Sequence, residues 1–399
     1  MGDLRSVTLV LAGVSLLASC GAHPPDPSPT ASPTVSPTVS RQSWHPSPSR
    51  TASPVPSAWK IVRPAELVGS SALLDVAAAG PREVWAVGYQ RGAEDSEGTP
   101  AVVRWDGTRW REVAGLTGRD VNHLTGVSVA GPGDVWVAGN GVNAFAARWD
   151  GRRWTARRPF GVAEDYRLTD VAATGGTAWF TGNGPSGGVL IRWDGTAFQN
   201  VLTGSGGTFE AVTARQGHIW AVGAAKDGTP LVWHGSPDHW ERLPTPAIPG
   251  GTLRRIWQVS PSDVWAVGEV APGDAVRDGA RIRRGRPLVL RWDGTRWARA
   301  EVPVARGSLQ GVTASGPGDL WISGIDADQP GRALLLHFDG TTWTREYGPL
   351  LRMPRPDQQY EDSDRVTRTG VTRVPSTGTL WAVGSVGVGD DEDDFVLRR

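Results

Sequence analysis

Short apolar runs broken by glycine and proline fill most of the chain, and no apolar period of 3.6 residues persists long enough to predict a helix. One run returns seven times. Trp85, Trp136, Trp179, Trp220, Trp265, Trp321 and Trp381 sit in such runs, each followed three residues later by a glycine, from Gly88 to Gly384. These tryptophans stand 51, 43, 41, 45, 56 and 60 residues apart, a period of propellers and solenoids. A second phrase trails the first: Arg104-Trp105-Asp106-Gly107-Thr108-Arg109-Trp110 in the first copy, recurring around Asp150-Gly151, Asp194-Gly195, Asp293-Gly294 and Asp339-Gly340. The fourth copy is irregular, running Trp233-His234-Gly235-Ser236-Pro237-Asp238-His239-Trp240.

Each copy predicts four short strands, A to D. Strand A carries an apolar pair such as Leu124 and Val127, strand B the tryptophan, strand C the residues leading into Arg-Trp, and strand D the return. Asp-Gly between C and D predicts a type I′ hairpin turn, which requires positive φ at both central residues. Four-stranded units at this period are propeller blades, apolar on both faces because neighbours cover both. A buried tryptophan withdraws about 150–250 Å² from water, roughly 4–6 kcal/mol gross, so the repeated indoles read as packing between blades rather than as ligand platforms. The expected fold class is all-β, a seven-bladed β-propeller. The seventh copy carries Phe395-Val396-Leu397-Arg398-Arg399, equivalent to strand C, with no strand D following. Ala58-Trp59-Lys60-Ile61-Val62 resembles Arg109-Trp110-Arg111-Glu112-Val113 and is expected to supply that strand.

The N-terminal segment has a different character. An apolar run from Val7 to Leu17 ends in Leu17-Ala18-Ser19-Cys20, which resembles the bacterial lipobox. The resemblance implies a lipoprotein signal peptide over 1–19 and a lipidated Cys20 that holds the chain to membrane lipid, on the extracytoplasmic face of the cell membrane. Cys20 is the only cysteine, which leaves no internal disulfide. Residues 20–57 are dominated by Pro, Ser and Thr and have too few apolar side chains to form a core. They are expected to act as a disordered stalk reaching on the order of 100 Å if extended. The propeller then occupies 58–399. Its charge excludes one class of partner: 41 basic residues balance 41 acidic ones, leaving no basic surplus to track nucleic acid.

In a propeller the A–B and C–D turns share one face, and the B–C and D–A loops share the other. The first set is short here. The second varies widely, with insertions at Tyr89–Pro100, Glu269–Arg286, Ile325–Arg332 and Ser385–Asp394 and a long crossover at Gly348–Arg368. Insertions confined to one face mark a binding face. Arg277, Arg281, Arg283, Arg284 and Arg286 would form an anionic-ligand patch there. Asp390, Asp391, Glu392, Asp393 and Asp394, with Asp326 and Asp328, read as solvated loops or a Ca²⁺ site. That run lacks the spaced carboxylates of an EF-hand loop, so no metal is assigned.

Residues entering strand A ring the channel mouth on the same face: Asp75, Thr125, Asp170, Glu210, Arg254, Arg255, Gln310 and Arg368, with His123 and Arg167 beside them. They are the candidate binding residues, able to hold a polar ligand by bidentate pairing or to serve as a solvated funnel. Trp257 stands where other copies have Ala77, Ser128, Ala172, Thr213, Thr313 and Thr372, as a plug or a stacking surface. No His-x-x-x-His, no Gly-x-Ser-x-Gly elbow and no phosphate-cradling loop is present, so no catalytic residue and no cofactor is assigned. A carboxylate pair across the mouth would serve glycoside hydrolysis at a separation of about 5–9.5 Å.

The Trp-Ala-Val-Gly phrase with Arg-Trp-Asp-Gly-Thr-x-Trp, repeated over 58–399, resembles the tectonin-type propeller repeat and, more loosely, the kelch and galactose-oxidase propellers. The resemblance implies carbohydrate or lipopolysaccharide binding. The blades are longer than that family's and lack the kelch double glycine, and galactose oxidase chemistry would need copper ligands and a redox cysteine. The leading expectation is a monomeric, non-catalytic cell-surface lipoprotein whose loop-bearing face binds a glycan or protein partner. The alternatives are an extracellular carbohydrate-active hydrolase or lyase using channel-mouth carboxylates, and an envelope assembly scaffold.

Overall fold

The computed structural model describes residues 58–92, 98–116, 121–157, 159, 166–236, 239–271, 285–353, 364–388 and 391–399. The expected signal peptide over 1–19 and the expected stalk over 20–57, with Cys20, lie outside them. The described residues contain 28 strands and no helix, arranged as seven four-stranded antiparallel sheets. Blade two shows the pattern: strand A His123–Gly131, B Asp134–Asn140, C Ala144–Trp149 and D Trp154–Arg157. Strands A of successive blades pack side by side around a channel, and that of the seventh, Val366–Arg373, returns to that of the first, Ser71–Gly80. The chain is a seven-bladed β-propeller.

The ring closes as the sequence suggests. Lys60–Ile61 forms strand D of blade seven against strand C, Asp391–Arg398, with Lys60 opposite Arg398 and Ile61 opposite Leu397. The Val62 amide donates to Val396 O at 2.9 Å. Trp59 is 2% exposed, packs edge-on to Trp321 of blade six at 5.9 Å and donates Nε1–H to Glu346 Oε2 at 3.1 Å.

Two local expectations are corrected. Ser385–Asp394 is not an inserted loop. Strands B (Leu380–Val388) and C of blade seven simply run longer, pairing from Ser385 opposite Asp394 to Val388 opposite Asp391. The acidic residues therefore sit on a strand and meet neighbours: Glu392 bonds Tyr89, Asp394 bonds Ser71, and Asp393 pairs with Arg352. Asp390 lies outside the described residues. Nor are the Asp-Gly turns type I′. Gly107, Gly151, Gly195, Gly294 and Gly340 have φ between 92° and 108°, while no aspartate before them has positive φ. A four-residue loop joins paired Trp105 and Trp110. Within it, Asp106 Oδ1 accepts from the amides of Thr108 at 2.8 Å and Arg109 at 3.0 Å. The carboxylate substitutes for a turn carbonyl, an Asx turn. The Ala197 and Thr196 amides likewise hold Asp194 down at a pKa of about 2.

Seven apolar clusters fill the seven interfaces between blades. The strand-B tryptophans, none above 2% exposed, are their largest members. Each meets an aromatic from the next blade's C or D strand: Trp85 meets Trp149 and Trp154, Trp220 meets Trp292 and Trp297, and Trp381 meets Trp105 and Trp110 across the closure. Within its own blade each indole is covered by its cross-strand partner. Arg104, Arg148, Arg192, Arg291 and Arg398 lie 4.8–5.8 Å from the ring centroids, and His234 and His337 stack at 4.0 and 4.3 Å. A partly exposed guanidinium over an indole contributes about 0.5–1 kcal/mol. In blades one, two, five and six an acidic residue two positions before the tryptophan faces the arginine or histidine, as Asp134 does Arg148 at 2.8 and 2.9 Å. In those four blades the phrase around the strand-B tryptophan and the phrase around strand C are two halves of one device.

The repeated glycine is needed for room. A Cβ on Gly88 would lie 1.9 Å from Ala72 O, and one on Gly139 2.4 Å from His123 O. The crowding accompanies a bulge that adds one residue to strand A of every blade. It falls at the glycine's partner in six, as between Leu73 and Asp75, and earlier in blade seven, between Val366 and Arg368.

Gly88→Ala is expected to cost about 3 kcal/mol or more in chemical denaturation, because backbone must move, whereas Gly80→Ala should stay within about 0.5 kcal/mol; nothing lies within 4 Å of a Cβ on Gly80. Trp59→Ala should cost about 3–5 kcal/mol in the same assay, the loss expected of a deeply buried indole.

Candidate functional site

The strand-A bulge turns consecutive side chains toward the channel and sorts the polar ring into two tiers. Thr125, Glu210, Arg254, Gln310 and Arg368 line a mouth cavity of about 230 Å³ on the loop-bearing face. Asp75 and Asp170 lie one step deeper, at the head of a channel cavity of about 800 Å³ that extends to the A–B turns. Arg255 borders both. His123 and Arg167 line neither. His123 is buried within 3.5 Å of the Asn140 amide, and Arg167 is exposed at the start of its strand. Of the basic group, Arg286 opens strand C of blade five, exposed; Arg277, Arg281, Arg283 and Arg284 fall outside the described residues.

Several of these side chains tie blades together. Asp75 Oδ2 accepts from Val127 N of blade two at 2.9 Å, and Asp170 Oδ2 from Val212 N of blade four at 3.0 Å. Gln310 Oε1 accepts from Thr369 N of blade seven at 2.9 Å. Further out, Asn140 grips both main-chain groups of Leu168 at 2.7 and 2.8 Å, and Asn183 grips those of Phe209, both at 2.7 Å. These asparagines imitate the pairing of a strand edge across an interface. Their signal lay in Gly139-Asn140 and Gly182-Asn183, adjacent copies with the same residue after the repeat glycine.

The electrostatics centre on Arg255, whose Nη2 stands 3.9 Å from Asp75 Oδ1, with Asp170 and Glu210 also acting on it. Burial opposes its charge, but the three carboxylates outweigh that and raise its pKa. One guanidinium cannot compensate three enclosed carboxylates. Burial accordingly raises Asp75, Glu210 and Asp170, the last to about 7, with Asp75 adding to the effect and Arg255 opposing it. At the mouth, Arg254 Nε donates to Glu269 Oε1 at 3.2 Å. Among the described residues no three His, Cys, Asp or Glu side chains gather as metal ligands would. The inner tier can fix geometry and store a proton. The outer tier offers cations, a carboxylate and an amide to a ligand.

A carboxyl raised on folding holds extra protons in the folded state between its unfolded and folded pKa. Its stabilising contribution is therefore complete below about pH 4 and is lost as pH rises toward 7. The melting-temperature difference between wild type and Asp170→Asn should accordingly shift against wild type from pH 5 to pH 8. Parallel curves would contradict the assignment.

No family model matches the sequence, and no curated protein does. Solved structures do match the fold. YCF48 bound to a D1 peptide is similar at 16% identity and a TM-score of 0.55, covering 88% of this chain and 96% of that one. YCF48 from Cyanidioschyzon merolae is similar at 15% identity and 0.53, covering 86% and 98%. The WD40 repeats of RRP9 follow at 12% identity and 0.54, covering 85% and 96%. At these identities the likeness shows the propeller fold.

Proposed function

We propose that this chain is a membrane-tethered binding propeller, without catalysis, that receives a segment of a protein partner on its loop-bearing face. The observation that carries the reading is the asymmetry between faces. Of the five exposed large apolar side chains among the described residues, Val68, Val142, Leu350 and Met353 all lie in B–C or D–A connections. They share the loop-bearing face with the polar mouth formed by Glu210, Arg254, Gln310 and Arg368. Exposed apolar side chains on the same face as hydrogen-bonding groups suit a protein segment better than a free sugar. YCF48, similar in fold, has been solved with a D1 peptide bound, and a peptide is the ligand class proposed here. The hydrolase reading is weaker, because Asp75 and Asp170 each give an oxygen to a main-chain amide of the next blade. The tether is Cys20, lipidated on the extracytoplasmic face of the membrane, with residues 20–57 as stalk.

A photo-crosslinking residue placed at Val142 or Met353 in intact cells should capture one discrete protein, and one placed at Thr196 or Thr295, on the opposite turns, none. Equal capture from both faces would defeat the reading. Cys20→Ala should move the chain from the membrane pellet to the soluble fraction; an unchanged distribution would remove the tether from it.

A further inference from the structure

Blade four covers its strand-B tryptophan differently from every other blade. Two positions before that tryptophan stand Glu83, Asp134, Asp263 and Asp319 in four blades and Thr177 and Thr379 in two; blade four has His218. Across the sheet from the tryptophan, blade four has His234, where five blades have arginine and blade six has His337. Opposite His234 on strand D stands Glu241. No other blade places a carboxylate there, the equivalents being Lys60, Arg111, Thr155, Gln199, Ala298 and Thr344. His218, His234 and Glu241 therefore form a row over strands B (His218–Ala225), C (Pro230–Ser236) and D (His239–Arg242) that occurs once in the ring. Covering the indole does not require it. His234 stacks on Trp220 at 4.0 Å, and His337 does the same for Trp321 at 4.3 Å with an ordinary aspartate, Asp319, 3.1 Å from its Nε2.

The two imidazoles of blade four face each other. His218 Nδ1 lies 3.0 Å from His234 Nε2, and the ring planes are within 12° of parallel. One proton is shared across that gap. A second would set N–H against N–H, a conflict that Asp134 and Arg148 do not have. Metal–nitrogen bonds of about 2.0–2.1 Å hold two neighbouring ligand nitrogens about 2.9–3.4 Å apart, so the pair already has the spacing of a chelate. Glu241 Oε1 stands 3.8 Å from His234 Nδ1. A carboxylate on that side keeps the proton on Nδ1 and leaves Nε2 a lone pair, the role of an outer carboxylate in histidine–metal sites. The row is open to solvent. The His234 and Glu241 side chains are 22% and 54% exposed, and His218 directly follows the A–B turn at Gln216-Gly217.

The geometry points to a divalent transition-metal site on blade four, at the face of the A–B and C–D turns. His218 Nδ1 and His234 Nε2 are its two protein ligands, water completes the shell, and Glu241 fixes the tautomer of His234. On binding, the shared proton passes to the outer nitrogen of its own ring, so both imidazoles bind neutral and no proton is released. Two imidazoles favour Cu²⁺ over Zn²⁺ and both over Mg²⁺. With only two protein ligands the ion is exchangeable and is not a structural centre. The site is independent of the loop-bearing face and survives if the protein-partner reading fails.

The test uses the full chain with Cu²⁺, Zn²⁺ and Mg²⁺ as probes, read by calorimetry and, for Cu²⁺, by electron paramagnetic resonance. The reference is the double variant His218→Asp/His234→Arg, which restores the pairing of Asp134 with Arg148 and cancels any ion held elsewhere on the chain. The wild type is expected to bind one Cu²⁺ more than this variant, with two nitrogens splitting the signal of the additional ion. His218→Thr and His234→Arg, each a residue that other blades carry there, should each weaken that ion about ten-fold or more, and they keep the test decisive if the double variant does not fold. His337→Arg, in blade six, should leave it unchanged. The proposal is overturned if wild type and the double variant bind the same number of ions, if the additional ion shows fewer than two nitrogens, if Mg²⁺ competes equally, or if His337→Arg abolishes it.

Discussion

The covering of one indole, repeated seven times, is the interaction on which the rest of the molecule depends. A blade of four short strands has two apolar faces and no means of shielding either alone. The strand-B tryptophan solves this in two directions at once. Its own blade covers it with the arginine or histidine directly across the sheet, and the next blade presses aromatic side chains against it. Apolar contact and, in five blades, a guanidinium both act on the same ring, so the lateral joint and the internal hairpin register reinforce each other. A slip of one residue in the B–C pairing would move the guanidinium to the other face of the sheet and expose the indole.

The channel follows from a second constraint, the close approach of strands A and B beside the bulge. Because the glycine hydrogens face a carbonyl, strand A can gain a residue without parting from strand B. The gained residue reaches the channel with its successor. That is why polar side chains stand at two depths, and why the deeper ones meet the amides of the adjoining blade. Architecture and candidate site are in this respect one structure: the carboxylates that give the channel its proton-holding character also fasten its wall.

Much of this was legible in the residues. The repeat of tryptophan and glycine revealed the blade count, and the likeness of Trp59-Lys60 to Trp110-Arg111 revealed how the ring closes, because buried packing leaves a periodic trace. The Asp-Gly pairs marked the right turns but suggested the wrong conformation, since a side-chain acceptor can replace main-chain geometry without any change in sequence pattern. The acidic run at 391–394 read as loop because charge usually signals solvent; its strand is held instead by the valines opposite and by partners from blade one and the crossover. The depth of Asp75 and Asp170 relative to Glu210 was not readable, since it hangs on where a one-residue bulge falls.

Lys60–Ile61 is the shortest strand in the ring and the one nearest the N-terminal segment. Any mechanical load arriving along the chain from that side reaches the fold there first. Two residues of ladder resist peeling poorly, so the bolt is Trp59, wedged against Trp321 and latched to Glu346. Force that drew this one side chain out would part blade seven from blade six and open the circle, giving the fold a defined point of rupture where the N-terminal segment joins it.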